Sequence, residues 1–431
     1  MNKKLLVWSV LFMIIGAALM LYGTRFTVPN TEPIPWGLLV MGYMLFGVIG
    51  TGISSYNSLY QLFNRGHSDK NPLGNIKLRM EWLALAVLIP GWIMVFASVY
   101  KPLTTIYLYI SFNATSRIAW NGVLYTLVGL GIILEILSLI GEKVPQKNAS
   151  TAIMSKTPTQ ISYDVVWGII RFLLSIDTYI LGFTILVELI LDANLGSVFG
   201  YLSTWVMDFG PFTAILFVAL SFYGGIAMIS IVNTIYVHFN GKSSSGQEES
   251  MLLKTLSRDG LLSVLAVGFF EMWWIWIFST NQETWPWTSL IMGGGFSSVF
   301  WGGVIIIGIV LSSALYYFAY RKKNWTVLMA AGILAIIGMF SIIFISDIIP
   351  QAITWYYSNS FVSPSASTWI FELRSQFNLA SPWTLLPLVV DKYNALWFAG
   401  SALFMVGFLP LGIMLLPLEE REKIGHLWIF K

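Results

Sequence analysis

Ionisable side chains inside apolar runs are where this chain could do chemistry, because only 10% of its 431 residues are charged while 56% are hydrophobic. The candidates are Glu135, Arg171, Asp177, Glu188 and Glu271. Such groups are costly in hydrocarbon and are kept there either to tie helices together or to pass protons and ions. Arg171 and Asp177 stand six residues apart, not the three or four that would put them on one helix face. Glu188 falls near the end of its run and reads as structural. Glu135, Arg171, Asp177 and Glu271 form the candidate proton relay.

A second candidate is Thr115-Ser116-Arg117-Ile118-Ala119-Trp120-Asn121-Gly122, with Tyr125 one turn further on. It sets a cation, an indole and an amide within about one helical turn. A quinone headgroup needs hydrogen-bond donors at its carbonyls, a flat apolar slot for its ring and a lipid-facing opening, and these residue types supply each. Tyr22, Arg25, Trp36 and Asn113 fall near the same membrane face and complete the set. The same residues also suit an aromatic belt with a snorkelling arginine, so spacing leaves both readings open.

Other chemistries are excluded by what is missing. The only histidines are His67, His238 and His426, all in inner loops or at an inner helix end, so no pair can ligate a haem within the bilayer. With no cysteine, the chain holds no disulfide, thiolate zinc site or cysteine-ligated iron–sulfur cluster, and any such centre must belong to another subunit. The net charge of +3 is spread over short loops without a basic block, so nucleic acid is not an expected partner.

The elements that must position these residues are membrane helices. Unpaired backbone groups are too costly in lipid for anything but helices or a closed barrel, and long apolar runs select helices. Runs at 5–23, 35–63, 79–100, 118–140, 165–191, 211–239, 260–279, 296–320, 325–346 and 395–417 predict about ten transmembrane helices in an all-α integral membrane protein. Lys3 and Lys4 before the first run imitate a signal peptide, but the run is too long and lacks a cleavage site, so a retained helix is expected. With the amino terminus inside, eighteen Lys and Arg fall in inner segments and five in outer ones, which places both termini in the cytoplasm.

The run from Pro35 to Asn64 occurs twice. A shift of 176 positions lays Pro35, Phe46, Ser54, Asn57, Tyr60, Phe63 and Asn64 on identical residues, ending at Asn240. Helices two and six then run in the same direction, implying two parallel four-helix-bundle repeats followed by two C-terminal helices. Helices four and eight give weaker support at a shift of 181, with Ser116, Trp120, Gly122 and Val123 on Ser297, Trp301, Gly303 and Val304. The expected division is 1–140 for the first bundle with the quinone site, 141–164 for a cytoplasmic linker, 165–320 for the second bundle and 325–431 for the added helices. An aromatic outer loop at 347–394 suits an interfacial cap or a docking surface.

Three stretches together resemble the membrane-anchor subunits of the NrfD and polysulfide-reductase C family. They are Pro35-Trp36-Gly37, the small-residue face Phe46-Gly47-x-x-Gly50-x-Gly52, and Ser116-Arg117-Ile118-Ala119-Trp120-Asn121. The resemblance covers about the first 320 residues. It implies a quinone-reactive subunit of a prokaryotic cell membrane, working in anaerobic electron transport with a menaquinone-like quinone and no haem or metal of its own. It also implies an outer-face iron–sulfur subunit and a molybdopterin catalytic subunit of sulfur, polysulfide or tetrathionate reductase type, with possible proton translocation. Some members place a histidine beside the quinone; this chain has none there, so Tyr22, Arg25, Asn113 or Arg117 is expected to take that contact. The rival reading is a ten-helix ion-coupled secondary transporter, which would bind its substrate at the midplane between inverted halves.

Overall fold

The structure, a computed structural model, describes residues 3–23, 37–64, 73–74, 76–98, 106–143, 168–200, 210, 212–240, 246–280, 285–359 and 392–415. Every regular element among them is helical. In chain order they are α1 (Lys3–Tyr22), α2 (Leu38–Phe63), α3 (Lys77–Ser98), α4 (Tyr107–Ile110), α5 (Arg117–Lys143), α6 (168–175), α7 (Asp177–Gly200), α8 (Phe212–Asn240), α9 (Gly246–Thr280) and α10 (Trp285–Gly293). A π-helical stretch, Ser298–Leu311, runs on into α11 (Ser312–Lys322), and α12 (Trp325–Asn359) and α13 (Lys392–Leu415) follow. Among the described residues nine helices are long and apolar enough to cross a membrane, and α1 adds the shorter apolar helix Leu6–Tyr22. The chain is an all-α, multi-pass membrane protein.

Helix ends are set by local chemistry. Ser116 caps α5, its Oγ accepting from the Ala119 amide at 3.3 Å. Between α11 and α12 the chain reverses on two residues: Lys323 adopts φ 50°, and Asn324 Oδ1 accepts from the amides of Thr326 and Val327 at 2.9 and 3.3 Å.

The helices pack as two groups around a central pair. α2, α3, α5 and α7 surround one another, and α8, α9, the π-helical stretch with α11, and α12 form the second group. The pair α2 and α8 joins the groups, and α7 also touches α8. α1 packs on α13, which leans on α3 with Trp82 stacked on Phe408 at 4.7 Å. The grouping is therefore offset by one span from the expected division: the helix opening the second expected bundle, α7, closes the first group, and α1 stands outside it.

Glycine sets how closely the central pair approaches. A Cβ on Gly52 would lie 1.7 Å from the Ser221 carbonyl oxygen, and one on Gly225 would lie 2.4 Å from the Gly52 carbonyl carbon. Small residues at such contacts let helix backbones meet where lipid offers no hydrophobic drive. Thr51 meets Asp192 and Ser55 meets Glu188, so α2 and α7 are antiparallel. Gly196 meets Thr213 and Gly200 meets Gly210, so α7 and α8 are antiparallel too, which makes α2 and α8 parallel.

Candidate functional site

The site is a row of carboxyl groups held against one face of α2. Thr51, Ser54, Ser55 and Ser58, with Asn57 beside them, recur at helical spacing and interrupt a largely apolar run. A hydroxyl in such a helix commonly turns back to its own backbone. Here each meets a carboxyl from a neighbouring helix. Thr51 Oγ1 meets Asp192 Oδ1 at 2.7 Å while also lying 3.0 and 3.1 Å from the Val48 and Gly47 carbonyls of its own helix, and Ser55 Oγ donates to Glu188 Oε2 at 2.6 Å and Ser58 Oγ to Glu135 Oε2 at 2.7 Å. Glu81 accepts twice, from Ser54 Oγ at 3.0 Å and from Asn57 Nδ2 at 2.5 Å.

Three helices thus send acids to one: α3 gives Glu81, α5 gives Glu135, and α7 gives Glu188 and Asp192. Glu81, Glu188 and Asp192 are 0% exposed and Glu135 is 2% exposed. None of the four makes an ion pair with a described residue. The second oxygens of Glu135, Glu188 and Asp192 make no well-formed hydrogen bond, although Thr184 and Glu81 lie beside Glu135, Ser54 beside Glu188 and Ser221 beside Asp192. From Thr51 to Ser58 the row extends over roughly 10 Å of α2.

Both ends of the row lead to further polar groups. Beyond Asp192 lies Tyr125, buried, with its ring 5.2 Å from Tyr43 and stacked at 6.2 Å on Trp92. Its hydroxyl makes no hydrogen bond. Gly47 and Gly91 leave room for that hydroxyl, since a Cβ on either would come within 2.5 or 2.7 Å of it. At the other end, Asn57 Nδ2 also donates to the Lys77 carbonyl at 3.1 Å, and Lys77 pairs with the exposed Glu142. Arg79 sits 3.5 Å over the Tyr236 ring and donates to Asn233 Oδ1 at 3.3 Å, joining α3 to α8.

The residues expected at the start of α5 form a seam with α7. Arg117 is exposed and donates to the Ser197 carbonyl at 3.1 Å, and Asn194 Nδ2 donates to the Arg117 carbonyl at 2.9 Å and to Asn121 Oδ1 at 2.5 Å. The Trp120 indole donates to the Ala114 carbonyl at 2.9 Å and meets Phe112 edge-on at 5.0 Å. Asn113 is exposed and shapes the turn before α5 by accepting from the Thr115 amide at 3.0 Å. Tyr22 is exposed on α1, the helix that packs on α13, and Arg25 and Trp36 lie outside the described residues.

The expected relay residues divide. Glu135 is in the row, while Glu271 belongs to α9 in the second group. Arg171 is exposed in α6. Asp177 opens α7 half-buried, on the side of Glu135. Because α7 runs to Gly200, Glu188 lies well inside the span rather than near its end, and Asp192 lies inside it as well. Glu81, Asp192 and the α2 hydroxyls escaped the sequence reading. The signal for them was the hydroxyl stripe itself.

The second group shows the same positions without the acids. At the repeat shift Ser54 falls on Ser230, Ser58 on Thr234 and Glu81 on Ser257, and at the shift of 181 Glu135 falls on Tyr316. Ser230, Thr234 and Ser257 donate to their own helix carbonyls, at 2.8, 2.7 and 2.7 Å.

Fold and site together define a multi-pass helical membrane protein with an acidic row in one of two related helix groups. The family model for Polysulphide reductase, NrfD, matches residues 27–354, and the chain belongs to that family. It is a membrane subunit of polysulfide-reductase type. No curated protein matches the chain.

Proposed function

We propose that the chain is the quinone-exchanging anchor of a multisubunit oxidoreductase. It passes electrons between the membrane quinone pool and an iron–sulfur subunit on the outer face, which serves a molybdopterin reductase of sulfur, polysulfide or tetrathionate type. The carrying observation is the row of four buried carboxyls that begins beside the unbonded hydroxyl of Tyr125. A buried donor without a partner is costly and marks a place where a ligand can complete it.

Arg117, Asn121 and Tyr125 are the groups that would hold a menaquinone-like headgroup, with Trp120 beside its ring. A bound quinone supplies paired exchange of electrons and protons. Tyr125 offers its hydroxyl at the buried edge of the site, and the α5–α7 seam keeps Arg117 and Asn121 in place. Asp192 stands next in line as proton acceptor, followed by Glu188, Glu135 and Glu81, and the Asp177 and Lys77–Glu142 end opens toward the cytoplasm. Protons released at the outer face conserve no extra energy, whereas passage along the row makes the complex translocate them.

The test is the metal content of the complex drawn from native membranes in mild detergent by a tag on this chain. Iron with molybdenum or tungsten in fixed proportion is expected, since a cysteine-free chain cannot hold those centres alone. An intact preparation of this chain without metals sinks the proposal.

A further inference from the structure

We propose that the second helix group holds a monovalent-cation site on Glu271, taking either a sodium ion or the proton that displaces it. Between α8, α9 and α12 lies a cavity of about 10 Å³, room for one small occupant. Its polar lining is Glu271, Thr213 and Ser346, with the Trp274 indole alongside and Leu216 and Ile342 among the apolar walls. Glu271 is 6% exposed and makes no hydrogen bond or ion pair with a described residue.

The two hydroxyls decide what the cavity accepts. Thr213 Oγ1 donates its proton to the Gly210 carbonyl and Ser346 Oγ to the Ile342 carbonyl, each at 3.0 Å. Each hydroxyl has one proton and spends it on a nearby carbonyl, Thr213 Oγ1 lying beside Gly200 of α7 as well, so toward any occupant either can offer only a lone pair. A carboxylate with two hydroxyl oxygens is an oxygen set for a hard cation, or for the proton carried by the carboxyl itself. A single acid balances one positive charge, and among the described residues there is no cluster of three acidic or histidine ligands that would hold a divalent ion. No other titratable side chain lines the cavity. The acidic row of the first group stands apart from it, so this inference does not depend on quinone chemistry.

Carbodiimide labelling tests the proposal on the intact, tagged complex in detergent. Dicyclohexylcarbodiimide, an apolar reagent, attacks protonated carboxyls, and the modified peptides are located by mass spectrometry. At fixed pH, labelling of Glu271 is expected in choline chloride and to slow at least about five-fold in sodium chloride, while labelling within the first group is indifferent to the salt. The variants Thr213→Val and Ser346→Ala should still label at Glu271 but lose about five-fold in sodium protection, as a missing oxygen ligand costs. Equal labelling in both salts would mean that the proton is the sole occupant and overturns the sodium site. Failure of Glu271 to label, while acids of the first group do, would show a cavity closed to exchange and overturns the proposal outright.

Discussion

Ser55 and Ser230 are the same residue type on corresponding central helices, yet one serves a carboxyl and the other its own backbone. Removing them should therefore cost differently. Ser55→Ala strips Glu188 of its 2.6 Å donor and is expected to destabilise the protein by about 1–3 kcal/mol. Ser230→Ala removes a bond to its own helix and a hydroxyl beside Tyr316 but leaves no carboxyl without its donor, and is expected to cost less, at most about 1 kcal/mol. Thermal unfolding of the two purified variants checks this, and equal losses would remove the distinction between the groups. Tyr125→Phe should leave the fold intact, because the hydroxyl is unbonded, but lower quinol turnover of the assembled complex by about a hundred-fold. Glu188→Gln should spare electron transfer and reduce proton movement across reconstituted vesicles at least about ten-fold; unchanged proton movement would exclude the row as a path. Glu135 and Glu188 were visible in the sequence because they interrupt unambiguous apolar runs. Glu81 was not, since Lys77 and Arg79 before it look like a hydrophilic flank. Asp192 and Asp347 fall just past expected helix ends, although both are 0% exposed. Periodicity shows that a span exists better than it shows where one stops.

Among the elements, α2 and α8 carry the whole arrangement, and their contact has the least tolerance. Gly52→Val would place a branched side chain where the Ser221 carbonyl oxygen already lies 1.7 Å from a Cβ position. Overpacking of this kind costs about 1–3 kcal/mol or more, so the variant is expected to fall sharply in membrane abundance and melting temperature. Gly129 on α5 is the control, because nothing lies within 4 Å of its Cβ position. Gly129→Ala should match or exceed the parent by up to about 1 kcal/mol through helix propensity. The sequence pointed to the right pair of helices, because a repeat containing two asparagines stands out in apolar sequence. It gave no hint of the break at Ile176 that separates α6 from α7, where Asp177 becomes a helix start. The π-helical winding of Ser298–Leu311 was equally hidden, since its composition matches any apolar α-helix.

For the whole molecule, orientation is the property that composition argues and packing leaves to experiment. A chain without cysteine accepts single reporters cleanly. Thr115→Cys should react with an impermeant maleimide on intact cells stripped of any wall, and Lys322→Cys only after permeabilisation; the reverse pattern would invert the topology that the Lys and Arg distribution leads one to expect. The sequence showed that helices two and six correspond but not which neighbours each recruits, so the four-helix frame was expected one span too early. Side chains that close the frame, such as Asp192 with Thr51, are 141 residues apart and leave no periodic trace. Winding in the second group has a further consequence. In a π-helix neighbours on a face are five residues apart, which is why Gly303 meets Ser341 and Gly308 meets Gly338 on a single stripe toward α12. Lose one residue between those glycines and their spacing falls from five to four, so the two no longer fall together on the stripe and the winding downstream loses its phase against α12 and α9. Tyr316, 0% exposed against Gly260, would swing out of its socket. The coil thus works as a phase setter: length changes are tolerated in the loops, but here the chain keeps count.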